Sequence, residues 1–267
     1  MKLRPVCGVV LRQYYLLRGS PIRVVPMFAW VGVDIVLWGF ITRYLNTVGP
    51  AGVNFVPRLL GAVLLWDFLT RIMQGVTVAF LEDVWSRNFL NLFATPLLVS
   101  EYVVGLVVTS VVTSLFGLAV MLVLATAFFG LSFLALGALV VPFVLVLFLF
   151  GIALGILGSA MVLRWGPASE WLIWPLPALI APFAGVFYPV ATLPHWMQAV
   201  AAILPPSRVF EALRTVVGGG TPAVSELAWA AALAFVYVLL GTLTFTSVFR
   251  YVVRSGLLAR YSAESVG

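Results

Sequence analysis

Long apolar stretches constrain this chain more than any other feature of its sequence. Six segments of 18 residues or more carry few charges, and about 20 helical residues suffice to cross a hydrocarbon core of roughly 30 Å. Of the residues, 63% are apolar and 9% charged, against about 45–50% and 25% in soluble domains. The pattern predicts an all-α polytopic membrane protein, a single transmembrane domain over residues 1–267. The predicted spans are Val24–Ile41, Leu59–Leu81, Tyr102–Phe129, Phe133–Leu163, Trp171–Pro189 and Leu227–Phe249.

Several function classes are excluded by residue types that are nearly missing. Lys2 is the only lysine, so the chain contains no G-x-x-x-x-G-K-[ST] phosphate loop. Any ATP that drives this protein must therefore bind to another chain, and we expect no cofactor in this one. Cys7 and His195 are each the only residue of their type, which excludes an internal disulfide and a Cys/His metal cluster.

The first twenty-three residues form a basic segment with interspersed apolar side chains. Lys2, Arg4, Arg12, Arg18 and Arg23 alternate with valines, leucines and tyrosines. This pattern predicts an amphipathic helix over residues 1–23 that lies on the membrane surface. A solvated basic tail fits the pattern about equally well.

The distribution of basic residues predicts the orientation of the chain. With six spans, both termini lie on one side of the membrane. A cytoplasmic position for the termini puts ten Lys/Arg inside and four outside, as the positive-inside rule favours. We therefore expect a multi-pass protein of the cell (inner) membrane with both termini in the cytoplasm.

Three charged residues fall within predicted spans. Asp67 and Arg71 are four residues apart in the second span, so they share a helix face and can pair. Intramembrane charges commonly mark a transport pathway, but an ion pair that fixes helix packing is equally compatible. Asp34 is the third such charge, and it either partners Arg71 or is neutral and hydrogen-bonded.

Small residues recur at four-residue spacing in two spans. In the third span one helix face carries Gly105, Thr109, Thr113 and Gly117, and in the fourth span one face carries Gly151, Gly155 and Ser159. Such stripes allow helices to approach closely. Close packing within one subunit is the first interpretation, and a dimer seam is the alternative.

The segment between the second and third spans, Glu82–Pro96, reads EDVWSRNFLNLFATP. Apolar side chains recur there at helical spacing, with polar ones on another face, which predicts a short amphipathic helix at the cytoplasmic surface. Such a helix either docks into a groove of a partner subunit or rests on lipid headgroups. The residues that we expect to carry docking are Glu82, Asp83, Trp85, Arg87, Phe89, Asn91 and Phe93.

Prolines divide the region before the last span. Pro194 and the Pro205-Pro206 pair bracket His195–Leu204, which is too short to cross a membrane. This segment either dips into the membrane and returns or lies flat, and we expect it to cap a pathway on the outer side. There His195 is more often an interface anchor than a titrating gate. The expected gate residues are Pro189, Pro194, His195, Trp196, Pro205 and Pro206.

Three segments together resemble the membrane subunits of the type 2 ABC exporter family: FATPLLVSEYVVG, GVFYPVATLPHWMQ and LPPSRVFEALR. The resemblance implies a coupling helix at Glu82–Pro96 and an outer re-entrant hairpin at about Pro189–Arg214. It also implies a homodimer of this chain with attached ABC ATP-binding subunits, which bind ATP and Mg. The double proline departs from the single proline that is frequent in the family.

The same resemblance implies export of an amphiphile, such as a lipid-linked glycan, a lipo-oligosaccharide, a lipid or a hydrophobic drug. Membrane lipids, and no nucleic acid, are the further expected partners. The alternative is an ion-coupled transporter or channel that uses Asp34, Asp67 and Arg71. A membrane-embedded enzyme is disfavoured, because the acidic residues and His195 form no recognisable acid/base or metal motif.

Overall fold

The computed structural model describes residues 3–19, 21–49, 54–86, 89–131 and 140–258. Within these ranges every regular element is helical. The helices are α1 (Leu3–Arg18), α2 (Pro21–Val48), α3 (Gly61–Trp85), α4 (Phe89–Phe93), α5 (Val99–Phe129), α6 (Val140–Trp165), α7 (Glu170–Ile173), α8 (Leu176–Ala184), α9 (His195–Ala202), α10 (Pro205–Val217) and α11 (Val224–Arg254).

Four helices in the described part of the chain are long and apolar enough to cross a membrane. They are α3 together with the π-helical turn that precedes it, α5, α6 and α11. The predicted first span lies within α2, which is 28 residues long. The start of the predicted fourth span, at Phe133, lies outside the described residues.

The predicted fifth span, Trp171–Pro189, is not one continuous helix. The chain forms the four-residue α7, a turn at Trp174 and Pro175, and then the nine-residue α8, which ends at Gly185 with φ +61°. Pro175 and Pro177 lack the N–H groups that would continue the helical hydrogen bonds across this turn. From Glu170 to Ala184 the two helices cover only about 22 Å at 1.5 Å per residue.

Side-chain contacts give the relative directions of α6 and α11. Phe150 packs edge-on against Tyr237, and the Arg164 guanidinium lies 4.2 Å from the centroid of the Tyr251 ring. Both contacts advance in the same direction along the two helices, so α6 and α11 are parallel. Residues 166–223 therefore pass from one end of the helix bundle to the other.

Helix α5 packs against both α3 and α2. Ser110 of α5 donates its hydroxyl proton to the Ile72 carbonyl at 2.9 Å, while Tyr102 contacts Asp83. This order of contacts makes α5 antiparallel to α3. Phe40 near the end of α2 packs on Phe129 at the end of α5, so these two ends of α2 and α5 lie together.

Glycines of α6 provide the close contact with α3. A Cβ atom on Gly155 would lie 2.7 Å from the Val76 Cβ and 2.8 Å from the Met73 carbonyl oxygen. A Cβ on Gly151 would lie 2.8 Å from the Leu69 carbonyl oxygen. This stripe therefore serves close helix packing within one subunit, as the first interpretation predicted.

The second and third spans differ in extent from the prediction. Helix α3 continues four residues beyond Leu81, so Glu82–Trp85 form its last turn. Helix α4 is limited to Phe89–Phe93, and α5 begins at Val99. The segment 82–96 is thus a helix end followed by a separate short helix, and not one amphipathic helix.

Candidate functional site

A cavity of about 950 Å³ lies among α1, α2, α3 and α5, with one wall completed by Trp174. Along α3 its lining runs from Asp67 to Trp85, which is about 27 Å of helix at 1.5 Å per residue. The cavity is therefore a long groove that follows one face of a candidate membrane span. Its other lining residues include Gln13, Leu17, Trp30, Asp34, Thr70, Arg71, Gln74, Val78, Glu82, Ser86, Thr109, Thr113 and Ser114.

The two faces of α3 differ in character. Its cavity face carries Asp67, Arg71, Gln74 and Glu82 at spacings typical of one side of a helix. Its opposite face is fully buried and packs into the core, with Phe68 and Ile72 at 0% exposure. The apolar face thus holds the helix in the bundle and leaves the polar face to the cavity.

Asp67 and Arg71 form the ion pair that their spacing predicts. The Arg71 Nε donates to Asp67 Oδ2 at 2.8 Å, and both side chains are mostly buried. Because both groups also line the cavity, the pair is placed for a structural role, for contact with a transported molecule, or for both.

Asp34 enters the same cavity from α2. Within the described part of the chain, no hydrogen bond or ion pair joins the Asp34 carboxylate to Arg71, whose Nε donates to Asp67. The structure therefore brings the three predicted intramembrane charges to one cavity, but it pairs only two of them.

A buried polar cluster closes one side of the cavity near the end of α3. Arg12 of α1 forms an ion pair with Asp83, and the Tyr102 hydroxyl donates to Asp83 Oδ2 at 2.7 Å. Gln13 donates from Nε2 to the Ala79 carbonyl oxygen at 3.2 Å. These bonds fasten α1 to the ends of α3 and α5.

The surroundings of Arg12 stabilise its charged form. Asp83 and Tyr102 are both at 0% exposure. Burial lowers the pKa of the Arg12 guanidinium, but the hydrogen bond and the charge of Asp83 more than compensate, so this pKa lies above its ordinary value. Arg12 therefore remains protonated and neutralises the buried carboxylate.

Sequence reasoning placed Asp83 on the cytoplasmic surface and did not connect it with Arg12. Asp83 is buried because α3 continues past Leu81, which turns this side chain toward α1 and α5. Gln74 and Glu170 were also missed. Gln74 follows Asp67 by seven residues, a helical spacing that could have assigned it to the same face.

The predicted docking residues have different surroundings. Phe89 is at 0% exposure and packs against Phe80, Phe93 and Tyr102. Phe93 in turn contacts Phe249 of α11, with 4.8 Å between ring centroids. These two rings therefore anchor α4 on the ends of α3, α5 and α11, and they offer little surface to a partner. Arg87 lies outside the described residues.

Trp85 and Asn91 are the exposed members of the docking set. The Trp85 side chain is 52% exposed, and its Nε1–H donates to Glu170 Oε2 at 3.1 Å. This bond joins the end of α3 to the start of α7. Glu82 lines the cavity one turn before Ser86.

The predicted outer hairpin is a pair of short helices, α9 and α10. His195 begins α9 and is exposed, and Trp196 packs edge-on against Phe183 of α8 at 6.0 Å between centroids. Pro194 stands just before α9, where the missing N–H of proline removes no helical hydrogen bond. A proline thus precedes α9 and another begins α10, and both helices contact α8.

Hydrogen bonds hold this hairpin together. The double proline occupies the first positions of α10, where a missing N–H is tolerated, and both rings are buried. Glu211 of α10 accepts a bond from the Val190 N–H at 2.6 Å, one residue beyond Pro189. It also pairs with Arg214 at 3.0 Å. The hairpin is thus tied internally through a carboxylate that sequence reasoning did not select.

Among the residues that the structure describes, no group of three His, Cys, Asp or Glu side chains is arranged to hold a metal ion. No family model matches this sequence, and no curated protein matches it.

Proposed function

We propose that this chain is the transmembrane permease subunit of an ATP-driven exporter, similar to the type 2 ABC exporters. The observation that carries the proposal is the cavity along the polar face of α3, which reaches the exposed Trp85 at the end of that helix, just before the aromatic-anchored helix α4. A pathway and a docking element then lie on the same helix. Motion of one changes the other, as coupled transport requires.

Six crossings of the membrane belong to this proposal. Four helices are long and apolar enough to cross. Helix α2 has sufficient length for a fifth crossing. The passage of residues 166–223 from one end of the bundle to the other supports a sixth, made by α7 and α8 as a broken helix. Both termini then lie in the cytoplasm and the chain resides in the inner membrane, consistent with the basic residues.

A second copy of the chain covers the open side of the cavity in this proposal. Charged and amide side chains at membrane depth are unfavourable against lipid and normally face protein or a water-filled cavity. Asp34, Asp67, Arg71 and Gln74 all line this groove. A homodimer would enclose these groups and provide a shared path for an amphipathic substrate.

The motor is an ABC ATP-binding subunit on another chain, which binds ATP and Mg. It would contact Trp85, Asn91 and the adjacent surface of α4. Phe89 and Phe93 would transmit the movement, because their rings pack on α3, α5 and α11 at once. The Trp85–Glu170 hydrogen bond extends the same connection to α7.

The α9–α10 hairpin would close the outer end of the pathway. It lies in the part of the chain that connects α8 with the start of α11. The hairpin together with the residues just before it carries the predicted gate set Pro189, Pro194, His195, Trp196, Pro205 and Pro206. The bonds of Glu211 and Gln198 make it a rigid cap that moves as one piece.

The experiment that tests this proposal uses variants of Trp85 in the chain co-expressed with its ATP-binding subunit and reconstituted in liposomes. We expect Trp85→Ala to reduce ATP-dependent transport at least tenfold, by loss of the motor or by uncoupled ATP hydrolysis. Trp165→Ala is the matched control, because Trp165 is also exposed, at 60%, and ends α6 outside the docking segment.

A third variant separates the proposed contact of the Trp85 ring with the motor from the hydrogen bond of Trp85 to Glu170. Trp85→Phe keeps an aromatic ring for the motor but removes the donor to Glu170. Full activity in this variant would assign the effect to the ring. Coupled transport that is unchanged in Trp85→Ala would overturn the docking role.

An ion-coupled transporter or channel is the second candidate function. It is favoured by the position of Asp34, Asp67 and Arg71 in one cavity at membrane depth. Transport that persists without ATP and collapses with the ion gradient would select it over the first.

A further inference from the structure

The charge of the cavity narrows the kind of molecule that it can hold. Asp67 and Arg71 neutralise each other through their ion pair. Asp34 lines the same part of the cavity, and no described residue pairs with it. The wall around the ion pair and Asp34 therefore has an excess of one negative charge when Asp34 is ionised.

An aromatic ring accompanies this carboxylate. Trp30 precedes Asp34 by one helical turn on α2, is 66% exposed and lines the same cavity. Indole faces attract organic cations through the ring quadrupole. An indole and a carboxylate one turn apart thus form a surface that favours a positive group.

The remaining walls suit a molecule with both polar and apolar parts. Thr70, Gln74 and Thr113 offer oxygens that can accept hydrogen bonds, while Leu17 and Val78 supply apolar wall. A volume of about 950 Å³ is at the upper end of the range typical of pockets for drug-sized ligands. Neither a bare ion nor a purely polar solute uses all of these features.

We propose that the cavity binds a lipophilic organic cation. The positive charge lies between Asp34 and Trp30, and the apolar body packs against Leu17 of α1 and Val78 of α3. This inference rests on the proposed function, since it names the substrate class of the same cavity. The occupant supplies Asp34 with a direct counter-ion, since the Arg71 Nε donates to Asp67.

The test measures binding of two near-isosteric ions of opposite charge, tetraphenylphosphonium and tetraphenylborate. The full chain is placed in lipid nanodiscs, and binding above that of empty nanodiscs is determined by equilibrium dialysis. We expect saturable binding of the phosphonium only. Asp34→Asn, which keeps the shape of the side chain, should weaken this binding about tenfold.

Two further variants keep the test informative. Trp30→Leu should weaken phosphonium binding by a smaller factor and serves if Asp34→Asn does not fold. Glu226→Gln is the control, because Glu226 is a carboxylate outside the cavity that pairs with Arg208. Equal binding of both ions, or phosphonium binding that Asp34→Asn and Trp30→Leu leave unchanged, would overturn the inference.

The assay contains no ATP-binding subunit, so its outcome is independent of the motor. Selective cation binding in a chain that has no ATPase partner would support the cavity and reject the exporter. A chain that has the partner but binds both probes equally would keep the exporter and reject the cation.

Discussion

At the scale of single residues, α3 takes part in two ion pairs. Asp67 pairs with Arg71 inside the cavity, and Asp83 pairs with Arg12 at the end of the helix. In a membrane-spanning segment an unpaired charge is costly, so each pair permits a carboxylate that would otherwise be unfavourable. One pair lines the cavity and the other fastens α1.

We expect the effects of changing Asp67 and Arg71 on the free energy of unfolding to be non-additive. Asp67→Asn or Arg71→Met alone removes one charge of this ion pair, whereas the double variant removes both. Each single change should cost on the order of 1–2 kcal/mol of stability, and the double change less than the sum. Thermal unfolding in detergent measures the stability of the four proteins of this double-mutant cycle, and transport is measured on the same proteins.

Transport distinguishes the two roles of this pair. A packing role predicts that the double variant regains both stability and transport, while a pathway role predicts regained stability without transport. If the single variants match the native chain in both stability and transport, the packing role and the pathway role are both excluded.

We expect loss of the Tyr102 hydroxyl to lower the free energy of unfolding. Tyr102→Phe removes the O–H that donates to the buried Asp83 carboxylate, and a buried polar group without its partner costs about 1–3 kcal/mol. Thermal unfolding measures this loss. Tyr14→Phe is the matched control, because the Tyr14 ring is 52% exposed, and equal effects of the two changes would contradict the role of the cluster.

At the scale of elements, hydropathy predicted the long helices well because apolar length alone decides whether a helix can cross a bilayer. The predicted first, third and sixth spans fall within α2, α5 and α11, and the second begins in the π-helical turn that precedes α3. The fourth ends within α6, and its start lies outside the described residues. The fifth span failed as a continuous helix because Pro175 and Pro177 interrupt the helical hydrogen bonds within a stretch that stays apolar overall.

Sequence patterns did not predict the contacts between segments that are far apart in the chain. The spacing of Asp67 and Arg71 was sufficient to predict their pair, since both lie on one helix. The contact of Arg12 with Asp83 joins residues 71 positions apart, and no local pattern encodes it. Phe89 was similarly assigned to a surface by periodicity, although the bundle end covers it.

The close contact of α3 and α6 depends on Gly155. We expect Gly155→Ala to lower the free energy of unfolding by about 1–3 kcal/mol through overpacking, because its Cβ would lie 2.8 Å from the Met73 carbonyl oxygen. Gly61→Ala, which would meet no atom within 4 Å, is the control and should be neutral or stabilising. Thermal melting compares them, and a neutral Gly155→Ala would show that the interface is looser than described.

At the scale of the whole molecule, the fold places the exposed Trp85 and the short aromatic-anchored helix α4 toward one end of the cavity along α3. The cavity follows α3 toward Trp85, and α4 binds to three long helices at that end. The sequence has no phosphate loop, so in the proposed function energy enters from another subunit. These features are the basis for proposing the permease of an ATP-driven exporter.

The most direct test is to purify the tagged full-length chain from its native membrane in mild detergent. The co-purifying proteins are identified and quantified by mass spectrometry, and the sample is assayed for vanadate-sensitive ATPase activity. The expected result is an equimolar protein with a phosphate loop and ATPase activity, both lost in Trp85→Ala and kept in Trp165→Ala. A stable chain that purifies alone and without ATPase activity would contradict the exporter function.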